Sequence, residues 1–173
     1  MFTIRPRRTW TRYRPNLTTT DWQSGTVDLF IHHTADGGPR GGSKATRRQE
    51  EAYLRMIEDF HVESRDYLAI GYNYMVMPSG RVYEGRGFER VGAHTLDPKD
   101  ADGDKRYVEN DQPGICFAGN YDLQRPTRRQ LAAFKALKAR LRLKGVRIDK
   151  TYPHSAAFAT ACPGKHLREA LGL

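Results

Sequence analysis

Val27-Asp28-Leu29-Phe30-Ile31-His32-His33-Thr34 is an apolar, β-branched run that carries two histidines to its C-terminal end. The turn-forming Asp36-Gly37-Gly38-Pro39 follows directly. Such a run reads as a buried strand. Side chains at the carboxyl ends of strands in an α/β sheet face a ligand crevice, so both histidines stand where chemistry is possible. Taken alone, they fit a packed or incidental pair equally well. Near the other end of the chain, His154 and Cys162 stand eight residues apart in a segment poor in charge that closes on Cys162-Pro163-Gly164.

Between these ends the pattern alternates strands and helices. A helix is expected over about 45–62, with Ala52, Tyr53, Met56, Ile57 and Phe60 on an apolar stripe that packs on a sheet. Arg47, Arg48, Glu51, Arg55 and Glu58 fill its other face. Tyr72–Met77 and Arg81–Glu84 flank Pro78-Ser79-Gly80 and read as a hairpin. A strand is expected at 114–118. Thr127-Arg128-Arg129-Gln130 is a capping box opening a second helix, with Leu131, Phe134, Leu137 and Leu141 inward and Gly145 at its end. A short strand at 147–148 and a helix over 165–170 close the chain. The expected fold is α/β: one domain over residues 1–173, a central mixed β-sheet flanked by helices. Residues 1–26 read as a strap across the domain with Trp10 tucked in; its arginines would also suit a nucleic-acid-binding arm.

The chain has 173 residues, a mean hydropathy of −0.73, a formal net charge of +9 and a pI near 9.8. No apolar run reaches the roughly 18–20 residues of a membrane span. Met1–Arg8 lacks the apolar segment of a secretory signal, so cytoplasmic synthesis is expected, unless a signal has been removed. The charge favours an anionic partner (nucleic acid, an acidic membrane, a wall carrying anionic polymers) over none, a solvated surface being the plain alternative. No disulfide is expected: Cys116 reads as a small core hydrophobe, and Cys162, in its turn, as a reactive or metal-bound thiol.

His32, His154 and Cys162 together make a zinc set, and three protein ligands leave the fourth position of a catalytic metal open. Here a resemblance enters. The matching stretches are Ile31-His32-His33-Thr34-Ala35, His61–Arg65 leading to Ile70-Gly71-Tyr72-Asn73-Tyr74, and Gly80–Arg86. They continue with Gly92-Ala93-His94-Thr95, Gly114–Tyr121 and His154 through Gly164, with Arg8 and Trp10 near the start. In this order, over nearly the whole chain, it resembles the zinc-dependent N-acetylmuramoyl-L-alanine amidases of the type-2 amidase and peptidoglycan-recognition-protein family, which includes small phage amidases.

The resemblance implies that His32, His154 and Cys162 hold Zn2+ and that Tyr72 hydrogen-bonds the scissile carbonyl. Thr160 falls where members carry lysine or threonine, and offers a hydrogen bond in place of a charge. His94, Asn120 and Arg86 are implied substrate-binding residues of the groove. His33 is grouped with them, although as the neighbour on the other strand face it is expected to pack or hydrogen-bond. One departure is the acidic insert over 96–113. Asp100, Asp102, Gly103 and Glu109 in it match part of a calcium-loop pattern, but Pro98 occupies the first ligand place; a solvated loop bordering the groove is the reading.

The implied activity is hydrolysis of the bond between N-acetylmuramic acid and L-alanine in peptidoglycan, by a monomeric, bacteriolytic endolysin that reaches the wall after host-lysis functions release it. Its rivals are a peptidoglycan-recognition module without catalysis, a Cys–His hydrolase with Cys162 as nucleophile, and a nucleic-acid binder supported by charge alone.

Overall fold

In the computed structural model, residues 2–19, 26–95 and 110–173 are described. Their elements, in chain order, are β1 (Ile4–Arg5), β2 (Thr26–His33), α1 (Arg47–Asp59), β3 (Tyr74–Val76), β4 (Val82–Glu84), β5 (Gly114–Phe117), α2 (Arg128–Leu143), β6 (Arg147–Pro153) and α3 (Lys165–Leu171). The sheet order is β1-β4-β3-β5-β2-β6. Only β3 and β4 pair antiparallel; every other neighbour is parallel. This is the α/β domain with a mixed sheet that the sequence pattern indicates.

β2 is buried from Leu29 to His33 because strands run on both of its edges and helices cover both faces. Side chains alternate between those faces. Leu29 and Ile31 join Val76, Ile115 and Phe117 under Phe134, Leu137 and Leu141 of α2. On the opposite face Met75, Tyr83 and Cys116 meet Tyr53, Leu54 and Ile57 of α1, with Trp10 completing the cluster at 2% exposure. The Trp10 indole donates to the Glu84 carbonyl at 3.0 Å, and Arg55 donates to the Trp10 carbonyl at 3.1 Å.

Several sequence expectations need correction. α1 buries only part of the stripe its periodicity suggests: Tyr53 and Ile57 are buried, but Met56 is 54% and Phe60 50% exposed, while Glu50 and Glu58 are fully buried. The two carboxylates decide the rotation. Glu58 takes Arg7 at 3.0 Å and the Thr11 hydroxyl at 2.7 Å. Glu50 takes Arg81 at 3.1 Å, the Tyr83 hydroxyl at 2.9 Å and Ser79. β6 runs seven residues where two were expected, since polar Asp149-Lys150-Thr151 lies on an edge strand and carries no alternation to read. β3 starts at Tyr74, not Tyr72, because the Asn73 side chain bonds the carbonyls of Gly87 and Arg90 and the Gly114 N–H instead of continuing a ladder. α2 opens on the expected capping box, and Gly145 lies past its end at φ +88°. Leu131 is half-buried, and Ala133 joins the inner face. Residues 96–109 of the acidic insert lie outside the described residues.

The buried Arg7–Glu58 pair gives a stability test. Arg7→Met leaves a buried carboxylate with one hydroxyl partner and is expected to cost about 3 kcal/mol. The exposed Arg12–Asp59 pair at 3.3 Å serves as control, its loss in Arg12→Met costing below about 1 kcal/mol. Urea denaturation of both variants checks this; equal losses would show that the strap ion pair anchors nothing.

Candidate metal centre and groove

The strand register brings the first two donors together. β6 runs parallel to β2 with Ile31 opposite Pro153, so the next residue of each strand, His32 and His154, stand side by side at the carboxyl end of the sheet. Their ring centroids are 4.2 Å apart. Cys162 arrives on the loop before α3, with its carbonyl bound by the Ser155 N–H at 3.1 Å and its own N–H bound to the Thr160 hydroxyl at 3.2 Å. Its Sγ accepts the His33 N–H at 3.3 Å and lies 3.9 Å from His32 Nδ1. One ligand atom from each of His32, His154 and Cys162 lies within 4.8 Å of the others.

The tautomer of His32 follows from its neighbours. His94 Nε2 lies 2.9 Å from the Gln112 carbonyl, which can only accept, so His94 carries its proton on Nε2. Its Nδ1, 3.0 Å from His32 Nε2, must then accept, and His32 donates. This leaves the His32 Nδ1 lone pair facing Cys162. A ligating imidazole ordinarily has this kind of outer partner. Gly92 and Gly114 make room for the relay, since a Cβ at either would strike the His94 ring.

Burial holds these rings neutral. It pushes His32 well below its ordinary value, and His94 and His154 down to about 4. His154 Nε2 is buried without a hydrogen-bond partner among the described residues. Neutral imidazoles, an orphaned ring nitrogen and a thiol together suit a borderline-soft cation such as zinc. With protein alone around it, the Cys162 thiol is raised by burial to about 12. It is therefore not a thiolate at neutral pH, which weighs against Cys162 as a free nucleophile.

A cavity of about 550 Å³ opens over these residues. His154, Thr160, Tyr72 and His94 line it, while His32 and Cys162 lie beneath the floor. The Tyr72 ring is 5.4 Å from that of His32, and burial raises its phenol well above the ordinary value, so it stays a hydrogen-bond donor. Met56, Phe60, Arg65 and Tyr67 form a wall that periodicity did not reveal, with the Arg65 guanidinium 5.4 Å over the Phe60 ring. An apolar stripe with two carboxylates beside it was the available signal. Asp36 also lines the cavity, its Oδ1 fixed by Tyr53, Thr34 and the Gly38 N–H.

Three expected groove residues do not line this cavity. His33 points to the α2 face, as strand alternation requires; its Nδ1 accepts the Tyr121 N–H at 3.2 Å and its ring stacks on Tyr121. Arg86 clamps a loop through the carbonyls of Ile70, Val91 and Gly92. Asn120 shapes its own turn, bonding Ala35 and Asp122.

The fold is shared with known proteins. The family model for N-acetylmuramoyl-L-alanine amidase matches residues 25–165. Peptidoglycan-recognition protein SC1a of Drosophila melanogaster is 32% identical over 140 residues, 80% of this chain and 68% of that protein. Peptidoglycan-recognition protein LE of the same organism is 32% identical over 169 residues, 96% of this chain and 44% of that one. Among solved structures, Drosophila PGRP-LB superposes with a TM-score of 0.80 at 27% identity, covering 99% of this chain and 94% of that one. Peptidoglycan recognition protein-LE in complex with tracheal cytotoxin, a monomeric diaminopimelic acid-type peptidoglycan, gives 0.79 at 28% identity, covering 97% and 91%.

The buried neutral rings make stability depend on pH. His61, His94 and His154 have pKa values of about 4 in the fold, against 6.5 ordinarily. The unfolded chain therefore binds more protons between these values, and the stability present above 6.5 is lost as pH falls towards 4. The thermal midpoint of the metal-free protein is expected to be level from pH 8 to about 7 and to fall between about 6.5 and 5, before most carboxylates titrate. A midpoint level down to pH 5 would mean that these rings are not buried neutral.

Proposed function

Because this chain belongs to the N-acetylmuramoyl-L-alanine amidase family, we propose that it is a zinc-dependent amidase cutting the bond between the lactyl group of N-acetylmuramic acid and the L-alanine of the peptide stem. The observation that carries this reading is the convergence of His32, His154 and Cys162 under a groove that Tyr72 and Thr160 also line. His32, His154 and Cys162 would hold a zinc ion, which would supply Lewis-acid polarisation and activation of water at neutral pH. The His94 relay aims His32 Nδ1 and keeps Nε2 engaged. Neutral Tyr72 donates to the carbonyl oxygen as negative charge grows there. The Thr160 hydroxyl, which accepts the Cys162 N–H, has its proton left to donate to the same oxygen. Water adds its oxygen to the carbonyl carbon as the C–N bond breaks, so the lactyl group leaves as a carboxylate and the alanine nitrogen takes both protons of that water and leaves as a protonated amine.

Met56, Phe60 and Tyr67 offer the stem an apolar wall, with the Arg65 charge at its edge. That related structures hold a muropeptide supports the same ligand here. The role we attach is wall lysis as a monomeric endolysin, made in the cytoplasm and acting once other functions give it access; a +9 charge suits an anionic wall. A second reading, recognition without catalysis, is favoured by the names of the relatives, which are peptidoglycan-recognition proteins. Recognition needs the groove but not the donors, and retention of all three favours hydrolysis.

Release of free stem peptides from purified peptidoglycan is expected to stop with a tight zinc chelator and return with added zinc. Tyr72→Phe is expected to lower kcat about 10²–10³-fold with zinc content unchanged. Wall binding without release under any condition would establish the recognition module instead. For the positioning residue, His94→Phe is expected to weaken zinc affinity about 10–100-fold in a metal-competition titration; unchanged affinity would reduce His94 to packing.

A further inference from the structure

The surplus positive charge is not spread over the chain. Residues 123–148 contain nine Lys and Arg and no Asp or Glu, and the twenty cations elsewhere are matched by twenty acids. The whole excess therefore sits on α2 and the turns at its ends. α2 packs its apolar residues on the sheet face opposite α1 and the groove. With Phe134, Leu137 and Leu141 turned inward, helical geometry of about 100° per residue puts Arg128, Lys135 and Arg142 in one outer row, about 10.5 Å apart along the axis. Arg129 and Arg140 make a second row. Between the rows lie exposed Ala132, Ala139 and Leu143.

Much of this arrangement works against the helix, although Arg140 and Arg142 in its last turn suit the dipole. Arg128 and Arg129 stand in the first turn, which holds no acid, although the macrodipole favours negative charge there. Lys135 and Lys138, and Lys138 and Arg142, are like charges at helical-neighbour spacing. Among the described residues, no cation from Arg128 to Arg147 forms an ion pair; Arg125, just before them, reaches Glu169 at 3.6 Å. Compensation inside the fold is partial: besides Arg140 and Arg142 at the C-terminal end of the helix, Arg129 donates to the Ser43 carbonyl at 3.4 Å and Lys138 sits 4.7 Å over the Phe134 ring. The charge left exposed on the outer face, Arg128 and Lys135 above all, points to something outside the fold.

We propose that the outer face of α2 docks a linear polyol-phosphate polymer of the bacterial wall, holding the protein by its back while the groove faces peptidoglycan. This rests on the reading of the groove as a wall-directed site. A phosphate chain fits better than a lipid surface, because the apolar side of α2 is committed to the core and Leu143 is the one large apolar side chain between the cation rows. It fits better than single-stranded nucleic acid, because the outer face offers no aromatic ring for base stacking.

The test measures binding of the full chain to purified wall polyribitol-phosphate at 50 and 200 mM salt. Affinity is expected to fall steeply with salt, as phosphate contacts release counterions. Arg128→Gln/Lys135→Gln/Arg142→Gln is expected to lose on the order of 100-fold at low salt, at about fivefold per charge. Arg14→Gln/Arg40→Gln/Arg48→Gln, with the same net charge, is expected to stay within about threefold of wild type. A charge-keeping Arg128→Lys/Lys135→Arg/Arg142→Lys variant should bind like wild type, and all three should cleave a soluble muramyl peptide as wild type does. Equal losses in the two Gln triples, no polymer binding, or binding of anionic vesicles or single-stranded DNA in preference to the polymer would each overturn the proposal. Polymer binding lost only in the α2 triple, by a wild type that cleaves nothing, would sink the amidase reading and leave this one standing.

Discussion

Parallel pairing of β6 with β2 is the constraint on which the site depends. It makes the ends of two neighbouring strands coincide, so that a residue at position 32 and another at 154 meet without any loop having to fold back. β5 on the other edge sets Cys116 opposite His32 and closes the sheet beneath the ring. Only Cys162 is delivered by a loop, and that loop is tied at both ends, by Ser155 to its carbonyl and by Thr160 to its amide. Two donors fixed by sheet register and one by local hydrogen bonds form a preorganised set.

The groove above depends on a different kind of constraint, the burial of charge. An apolar stripe left to itself would turn Met56 and Phe60 onto the sheet. Glu50 and Glu58 prevent this, because a carboxylate taken from water must find its partners. Those partners sit in fixed places, on the hairpin for Glu50 and on the N-terminal strap for Glu58. Ion pairs behind the helix thus expose the apolar wall in front of it. The cost of two buried charges is offset by their hydrogen bonds, and the gain is a hydrophobic surface held open to a ligand.

This explains what could be read from residues alone. The β2 run, the α2 capping box and the mixed α/β sheet were legible because each is a local pattern with a physical cause. The candidate donors His32, His154 and Cys162, which the fold brings together, were singled out through residue type and through the family's motifs. The rotation of α1 was not legible, because periodicity counts apolar residues and cannot know that a glutamate has an arginine waiting 51 residues away. Nor was β6: an edge strand buries neither face, so its seven residues carry no alternation. The second role of His94 was hidden for a third reason. His94 lines the groove and also props His32, and only the geometry of the Gln112 carbonyl shows which nitrogen carries the proton.

Electrostatics gives the parts their division of labour. Every imidazole around the donor set is held neutral by burial, and Tyr72 keeps its proton for the same reason. Threonine, not lysine, stands at 160, so no fixed cation of the chain stands there to repel a metal ion. A positive charge at that floor would have to come from a cation held by His32, His154 and Cys162. The surplus cations of the sequence lie instead along α2, on the sheet face opposite α1, where burial lowers the pKa of Lys138 while Arg128, Lys135 and Arg142 stay exposed. Separating the two by a β-sheet lets one small domain carry a neutral donor cluster and a strongly basic surface together.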